Sequence, residues 1–224
     1  MPGETRQVES RRDGLLRAAG LLSYPAVMAV QERITRSPEL MSRSDSALLV
    51  VDVQDKLIGL IPDHERIVWN IRRLIDGAKV LDVAVAATEQ YPKGLGPTTS
   101  ELAERLDEIP SKLTFSCGGC PEIFQAFQER GIYKILVAGI EAHVCVQQTV
   151  LDLMGEGFRV YLAVDAIGSR YAVDYETALK RMDSAGATLT TTESALFEWC
   201  EIAGTPQFKQ ISNLVREAGP NTPS

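Results

Sequence analysis

Cys145 is the residue best placed to do chemistry. It follows the clearest apolar run of the chain, Lys134-Ile-Leu-Val-Ala-Gly139, by a short turn and opens a helical pattern carrying Val146, Val150, Leu153 and Met154. A thiol at a helix N-terminus lies among unpaired N–H groups at the positive end of the dipole, so its pKa is expected to be lowered. The same N–H groups could hold the oxyanion of an acyl intermediate. A free cysteine is also a favoured small core residue, so nucleophile and core filler both stay open. Asp52 closes the run Ala47-Leu-Leu-Val-Val-Asp52. A carboxylate at a strand end can serve as general base, or it can be a solvated loop residue or helix cap. Lys112 carries no signal of its own by pattern. Cys117-Gly-Gly-Cys120 has the spacing of a redox or metal pair and stands before a helix. The strand before it is poor and no second pair exists for zinc, so chance spacing is the better reading.

These groups can meet only if the elements between them bring them together. Ala47–Asp52 reads as a strand buried on both faces. A helix of about four turns follows, with Ile67, Val68, Ile71, Leu74, Ile75 and Ala78 on one face. A second strand runs near Val83–Thr88, and Thr98 with Glu101 forms a Thr-x-x-Glu capping box opening a short helix through Leu106. Leu113–Phe115 is the weakest strand candidate. Pro121 stands at the first position of a helix that Gly131 ends, with Ile123, Phe124 and Phe127 inside. Beyond the Cys145 helix, which closes at Gly155 or Gly157, come a strand at Phe158–Val164 and a helix at Asp174–Ala185. A sixth strand at Ala187–Thr191 leads to a helix ending near Cys200, and Thr205-Pro206 opens the last helix. Strands alternating with helices predict an α/β fold: a doubly wound, mostly parallel six-stranded sheet with helices on both faces. Ligands in such sheets bind beyond the carboxyl ends of the strands. That rule selects Asp52, Thr88–Tyr91, Gly139–Cys145 and Asp165–Arg170.

Composition narrows the function classes. A chain of 224 residues can bury a sizeable core without disulfides or a structural metal. The formal net charge of −7 argues against nucleic acid as a partner. Four unevenly spaced cysteines make no disulfide framework and indicate a reducing, cytoplasmic setting. No apolar run reaches the roughly 18–20 residues of a membrane span. Residues 1–45 are expected to be a helical or disordered N-terminal extension, 46–217 the folded domain, and 218–224 a flexible tail. Arg6, Arg11, Arg12 and Arg17 before the apolar stretch Leu21–Val30 have some look of a targeting peptide, which Glu4, Glu9 and Asp13 weaken. An extra amphipathic helix, or a true start at Met28 or Met41, remains open.

Several segments carry a resemblance: Leu49–Gln54 (LVVDVQ), Thr88–Pro97 (TEQYPKGLGP), Ser111–Ser116 (SKLTFS), Gly139–Thr149 (GIEAHVCVQQT) and Pro206–Lys209 (PQFK). On these the chain from Ala47 to roughly Glu217 resembles the isochorismatase-like cysteine hydrolase superfamily, and within it the isochorismatase domain-containing subgroup. The resemblance implies a Rossmann-like three-layer sandwich and a triad of Asp52, Lys112 and Cys145. Asp52 would take the thiol proton and pass it to the leaving group, and Lys112 would hold the charges in place. Cys145 would attack a carbonyl to form a thioester that water resolves. It also implies a cis peptide between Ile140 and Glu141 that turns loop N–H groups, including that of Ala142, toward an oxyanion. Gln54, Tyr91, Phe115 and His143 become candidate substrate contacts, and Cys117 a candidate pocket wall.

Two departures sharpen this expectation. The nicotinamidase branch binds metal through an Asp-x-His and a further His after its second strand. Here that stretch reads Thr-Glu-Gln-Tyr, and His64 and His143 are the only histidines, so no metal and no cofactor is expected. The vinyl-ether-cleaving branch lacks the cysteine that this chain keeps. The implied activity is therefore hydrolysis of a small amide, carbamoyl or imide compound by a homo-oligomer, a dimer or larger. The alternatives are a non-catalytic binding or scaffold protein with the same fold, and a thiol redox protein using Cys117 and Cys120.

Overall fold

The apolar runs become the strands of one sheet. The structure is a computed structural model that describes residues 34–220. β1 (Ser46–Val51), β2 (Ala84–Gln90), β3 (Ser111–Lys112), β4 (Lys134–Ile140), β5 (Arg159–Gly168) and β6 (Thr188–Thr190) lie in the order β3-β2-β1-β4-β5-β6. Every neighbouring pair is parallel. The longer helices are α1 (His64–Leu81), α2 (Pro121–Glu129), α3 (Gln147–Gly155), α4 (Ala172–Ala185), α5 (Thr192–Cys200) and α6 (Pro206–Val215), with single turns at Asp55–Ile58, Pro92–Leu95 and Ser100–Ala103.

Strand side chains alternate between two apolar layers, as the period of two requires. Leu48, Val50, Leu136, Ala138, Tyr161 and Ala163 pack with Ile71, Leu74, Leu196, Trp199 and Ile211 of α1, α5 and α6. Ala47, Leu49, Val51, Ile135, Val137 and Leu162 pack with Phe124, Phe127, Val150, Leu153 and Met182 of α2, α3 and α4. Burying each large aliphatic side chain contributes about 1.5–3 kcal/mol. The expected three layers follow. Strand order reverses between β1 and β4, and in such sheets that is where the ligand crevice is expected, here beside Asp52 and the turn after β4.

Polar staples close the α1 layer. Buried Arg73 of α1 donates from Nε to the Leu214 carbonyl of α6 at 3.1 Å and from its guanidinium to Asn70 Oδ1 at 3.0 Å. Its cation also lies over the Trp69 ring, 4.1 Å from the centroid. Asp165, a strand-end candidate from the sequence, accepts the Thr192 N–H and hydroxyl at 2.8 and 3.0 Å and so anchors α5.

Three local expectations are corrected. β3 is Ser111–Lys112 rather than Leu113–Phe115, and Leu113 is 78% exposed. Burial of the Lys112 side chain sets the register there; the apolar residues after it turn outward. Thr98 does not cap a helix. It sits in an antiparallel bridge with Gln54 and gives its N–H and hydroxyl to Glu89 Oε1 at 2.6 and 2.9 Å. The helical turn after it covers only Ser100–Ala103. β5 runs past Val164 to Gly168, because a register shift against β4 between Val137 and Gly139 lets pairing resume.

The unit beginning at Pro38 includes residues that the sequence assigns to the extension. Met41 is fully buried, and buried Lys134 donates from Nζ to the Leu40 carbonyl and to Asp45 Oδ2, both at 2.8 Å. The expectations for residues 1–33, including any targeting role, and for residues 221–224 of the tail fall outside the described residues. No helix among the described residues is long and apolar enough to cross a membrane.

Candidate active site

Three strand ends deliver Asp52, Lys112 and Cys145. Asp52 follows β1, its backbone left-handed (φ 51°), and is fully buried. Lys112 ends β3 and is also buried. After β4 the chain passes a cis peptide between Ile140 and Glu141 and enters a π-helical turn, Ala142–Val146, whose fourth residue is Cys145. Gly139 makes this approach possible. At φ +127° a side chain there would place its Cβ 2.1 Å from the Val51 carbonyl oxygen, so only glycine lets β4 run this close to β1.

Lys112 Nζ lies 2.6 Å from Asp52 Oδ2. It also donates to the Phe115 carbonyl at 2.9 Å and the Thr114 carbonyl at 3.3 Å, so all three ammonium hydrogens have acceptors. The other carboxylate oxygen, Oδ1, accepts the Thr88 hydroxyl at 2.8 Å. Thr88 Oγ1 is 3.3 Å from Cys117 Sγ. The Cys117 N–H donates to Thr149 Oγ1 at 2.9 Å, and that hydroxyl donates to the Cys145 carbonyl at 2.7 Å. Asp52, Lys112 and Cys145 therefore stand in one polar network with Thr88, Cys117 and Thr149. Glu141, also buried, accepts from the Arg170 N–H at 3.1 Å and from its Nε at 3.0 Å, tying the Cys145 turn to the end of β5.

The electrostatics overturn one expectation. Burial pushes the Cys145 thiol well above the usual range, and the charge of Asp52 and a hydrogen bond to it act in the same direction; Lys112 opposes them. Cys145 is 6% exposed and sits in the body of the turn rather than at the open head of a helix. Desolvation outweighs the dipole. These surroundings favour the neutral thiol. Cys117 is likewise pushed up to about 11, by burial first and then by Asp52.

The remaining candidates divide. Gln54 is fully buried, its amide donating to the Gly96 carbonyl at 2.6 Å and its Oε1 accepting the Gln90 N–H at 2.8 Å. With both polar atoms engaged by backbone, it clasps the loops after β1 and β2 together instead of facing a ligand. Tyr91 and Phe115 stand half exposed where the chain leaves β2 and β3. His143, in the Cys145 turn, has Nδ1 3.0 Å from Ser169 Oγ and Nε2 3.8 Å from Asp174. Cys120 is buried, and all four cysteines are free thiols. Among the described residues no three His, Cys, Asp or Glu side chains gather as a metal site. Sequence reasoning assigned no role to Thr88 or Thr149. Thr149 had a signal, since a threonine four residues after a helical cysteine can bond back to its carbonyl. Thr88 had only its place at a strand end.

Residues 46–194 match the isochorismatase domain family. Isochorismatase domain-containing protein 2 of Macaca fascicularis is 40% identical over 179 residues, covering 79% of this chain and 86% of the relative. Isochorismatase domain-containing protein 1 of Danio rerio is 35% identical over 187 residues, 81% of this chain and 65% of the relative, so the chain spans just under two thirds of that protein. The secreted isochorismatase effector Isc1 of Phytophthora sojae is 34% identical over 197 residues, 85% and 93% of the two chains. Among solved structures, MAR1 ribonuclease from Caenorhabditis elegans is similar with a TM-score of 0.76 and 38% identity, over 82% of this chain and 95% of that one. YcaC from Pseudomonas aeruginosa, solved with hexane-2,5-diol and covalent acrylamide, gives 0.70 at 25% identity over 81% and 98%. The YcaC product of Escherichia coli, an octameric hydrolase of unknown specificity, gives 0.72 at 25% identity over 80% and 92%.

Proposed function

The chain belongs to the isochorismatase domain family of hydrolases, and from that premise we propose that it hydrolyses a small amide, carbamoyl or imide compound through a thioester on Cys145. The observation that carries this reading is one buried carboxylate, Asp52, bonded on one side by Lys112 at 2.6 Å and near enough to Cys145 for its charge to hold the proton on the thiol. Asp52 takes the thiol proton as Sγ attacks the carbonyl carbon, a general-base step worth typically 10²–10⁴-fold. The oxyanion that forms is met by backbone N–H groups of the Ile140–Glu141–Ala142 segment and the turn that follows. Protonated Asp52 then gives its proton to the leaving nitrogen, and the C–N bond breaks to leave a thioester. A water, deprotonated by the same carboxylate, attacks the thioester, releases the acid and returns the thiol. Lys112, 2.6 Å from Asp52, balances the carboxylate charge and offsets the negative charge that builds on sulfur.

A nearly buried nucleophile suits a compact substrate, and the mouth would be lined by Tyr91, Phe115 and His143. The covalent acrylamide on the Pseudomonas aeruginosa relative supports small amides as ligands of such a site. RNA, prompted by the name of the Caenorhabditis elegans relative, is not favoured for a chain of net charge −7 whose buried lysine is fully engaged. Free cysteines fit a reducing cytoplasm, and the octameric relative supports a homo-oligomer. An intact triad argues against a merely binding role. The test is a screen of small amides, ureas and imides with wild type and Cys145→Ala. Turnover should vanish in the variant at an unchanged melting temperature, and a trapped acyl adduct should map to Cys145 in the wild type. Retained turnover in the variant overturns the assignment.

A further inference from the structure

Asp52 must accept a thiol proton and then hand it on, so the carboxylate has to present one oxygen in a fixed direction. Each of its oxygens has its own donor. Oδ2 receives the Lys112 ammonium at 2.6 Å, and Oδ1 receives the Thr88 hydroxyl at 2.8 Å. Thr88 has a single hydroxyl hydrogen, already committed to Asp52. At the 3.3 Å contact with Cys117 Sγ, the thiol is therefore the donor. Cys117 is fully buried, and its backbone is pinned through Thr149 to the Cys145 carbonyl. A relay of donors runs from Cys117 to Thr88 to Asp52. The geometry points to Thr88 as a positioning residue for Asp52, held in its donor orientation by Cys117. This role rests on the reading of Asp52 as the base for Cys145.

The titratable groups around Asp52 are Lys112 of β3, Cys117 and Cys120 of the 3₁₀ turn between β3 and α2, and Cys145 of the turn after β4. Thr88 does not ionise, so replacing it changes the hydrogen bonding of Asp52 and leaves the charges as they are. A donor to a carboxylate favours its charged form. Losing one such bond should displace the pH dependence of Cys145 reactivity upward by about one unit.

The experiment is the rate of iodoacetamide labelling of Cys145 against pH, read by peptide mass spectrometry on the full chain. Wild type, Thr88→Val, Thr88→Ser, Cys117→Ala and Asp52→Asn are compared. Wild type should show an acid limb that Asp52→Asn removes. Thr88→Val should displace the limb to higher pH by about one unit and lower the plateau, and Thr88→Ser should restore both. Cys117→Ala should displace it in the same direction by less; should Thr88→Val not fold, this variant decides. A limb that stays in place while only plateau or melting temperature changes overturns the positioning role, as does a serine variant that behaves like valine. If wild-type Cys145 labels no faster than a free thiol and Asp52→Asn changes nothing, the base reading fails and the role of Thr88 fails with it.

Discussion

Removing Lys112 would leave Asp52 in the protein interior with its charge unbalanced. Breaking a buried pair from one side costs about 3–5 kcal/mol, so Lys112→Met should lower the urea midpoint strongly as well as slow Cys145 labelling. The thiols give a second residue-scale outcome. Cys117 titrates at about 11 in the folded chain against the usual 9.0. The folded value is raised, so its contribution to stability is full below pH 9 and lost as pH rises toward 11. At about 1.4 kcal/mol per unit, the loss from this thiol is on the order of 2–3 kcal/mol. Cys145 adds to the fall in the same direction. The urea midpoint should therefore fall further between about pH 8 and pH 10.5 for wild type than for Cys117→Ala, which sheds one of the raised thiols. A wild-type midpoint as sensitive to alkali as the variant's would remove this account.

At the scale of elements, the site depends on how closely β4 approaches β1. Gly139→Ala should cost about 3 kcal/mol or more, because its Cβ meets backbone that cannot move aside and its φ is one that L side chains rarely adopt. Gly155→Ala, at the end of α3 with nothing within 4 Å of its Cβ, is the control and should stay within about 0.5 kcal/mol by thermal denaturation. The strands were legible in the sequence because burial on both faces leaves uninterrupted apolar runs such as Leu48–Val51 and Ile135–Ala138. The strand ends followed from these runs, and with them Asp52 and Cys145 among four candidate segments; the switch point between β1 and β4 came only with the strand order. β3 was not legible. Its two residues are specified by the buried Lys112–Asp52 contact, which has no periodicity, while the β-prone Leu113-Thr-Phe115 turns outward. The raised Cys145 thiol was also hidden, since a helix dipole can be read from spacing and desolvation cannot. Gln54 looked like a ligand contact from its strand-end position; its clasp on Gly96 and Gln90 depends on loops that only the fold brings together.

Across the whole molecule, large apolar side chains stand exposed where the chain leaves successive strands: Tyr91 after β2, Leu113 and Phe115 after β3, and Tyr171 and Val173 after β5. Others, such as Tyr133 and Ile202, lie elsewhere on the surface; if copies of the chain meet through the carboxyl end of the sheet, these five are the residues that the contact covers. Leu113→Glu and Tyr171→Glu should each lower the molar mass measured by light scattering, and masses equal to wild type would place the assembly contact elsewhere. The Arg73 staple has a different consequence, for synthesis. Its carbonyl acceptor in α6 lies 141 residues downstream, so α1 leaves the ribosome long before its buried cation can be satisfied. The nascent chain can pair β1 with β2 early, but the layer formed by α1, α5 and α6 cannot close until the last helix is free of the exit tunnel. The layer formed by α1, α5 and α6 is thus the last part of the domain to close, and the unfinished α1 face is what a chaperone would meet in the interval.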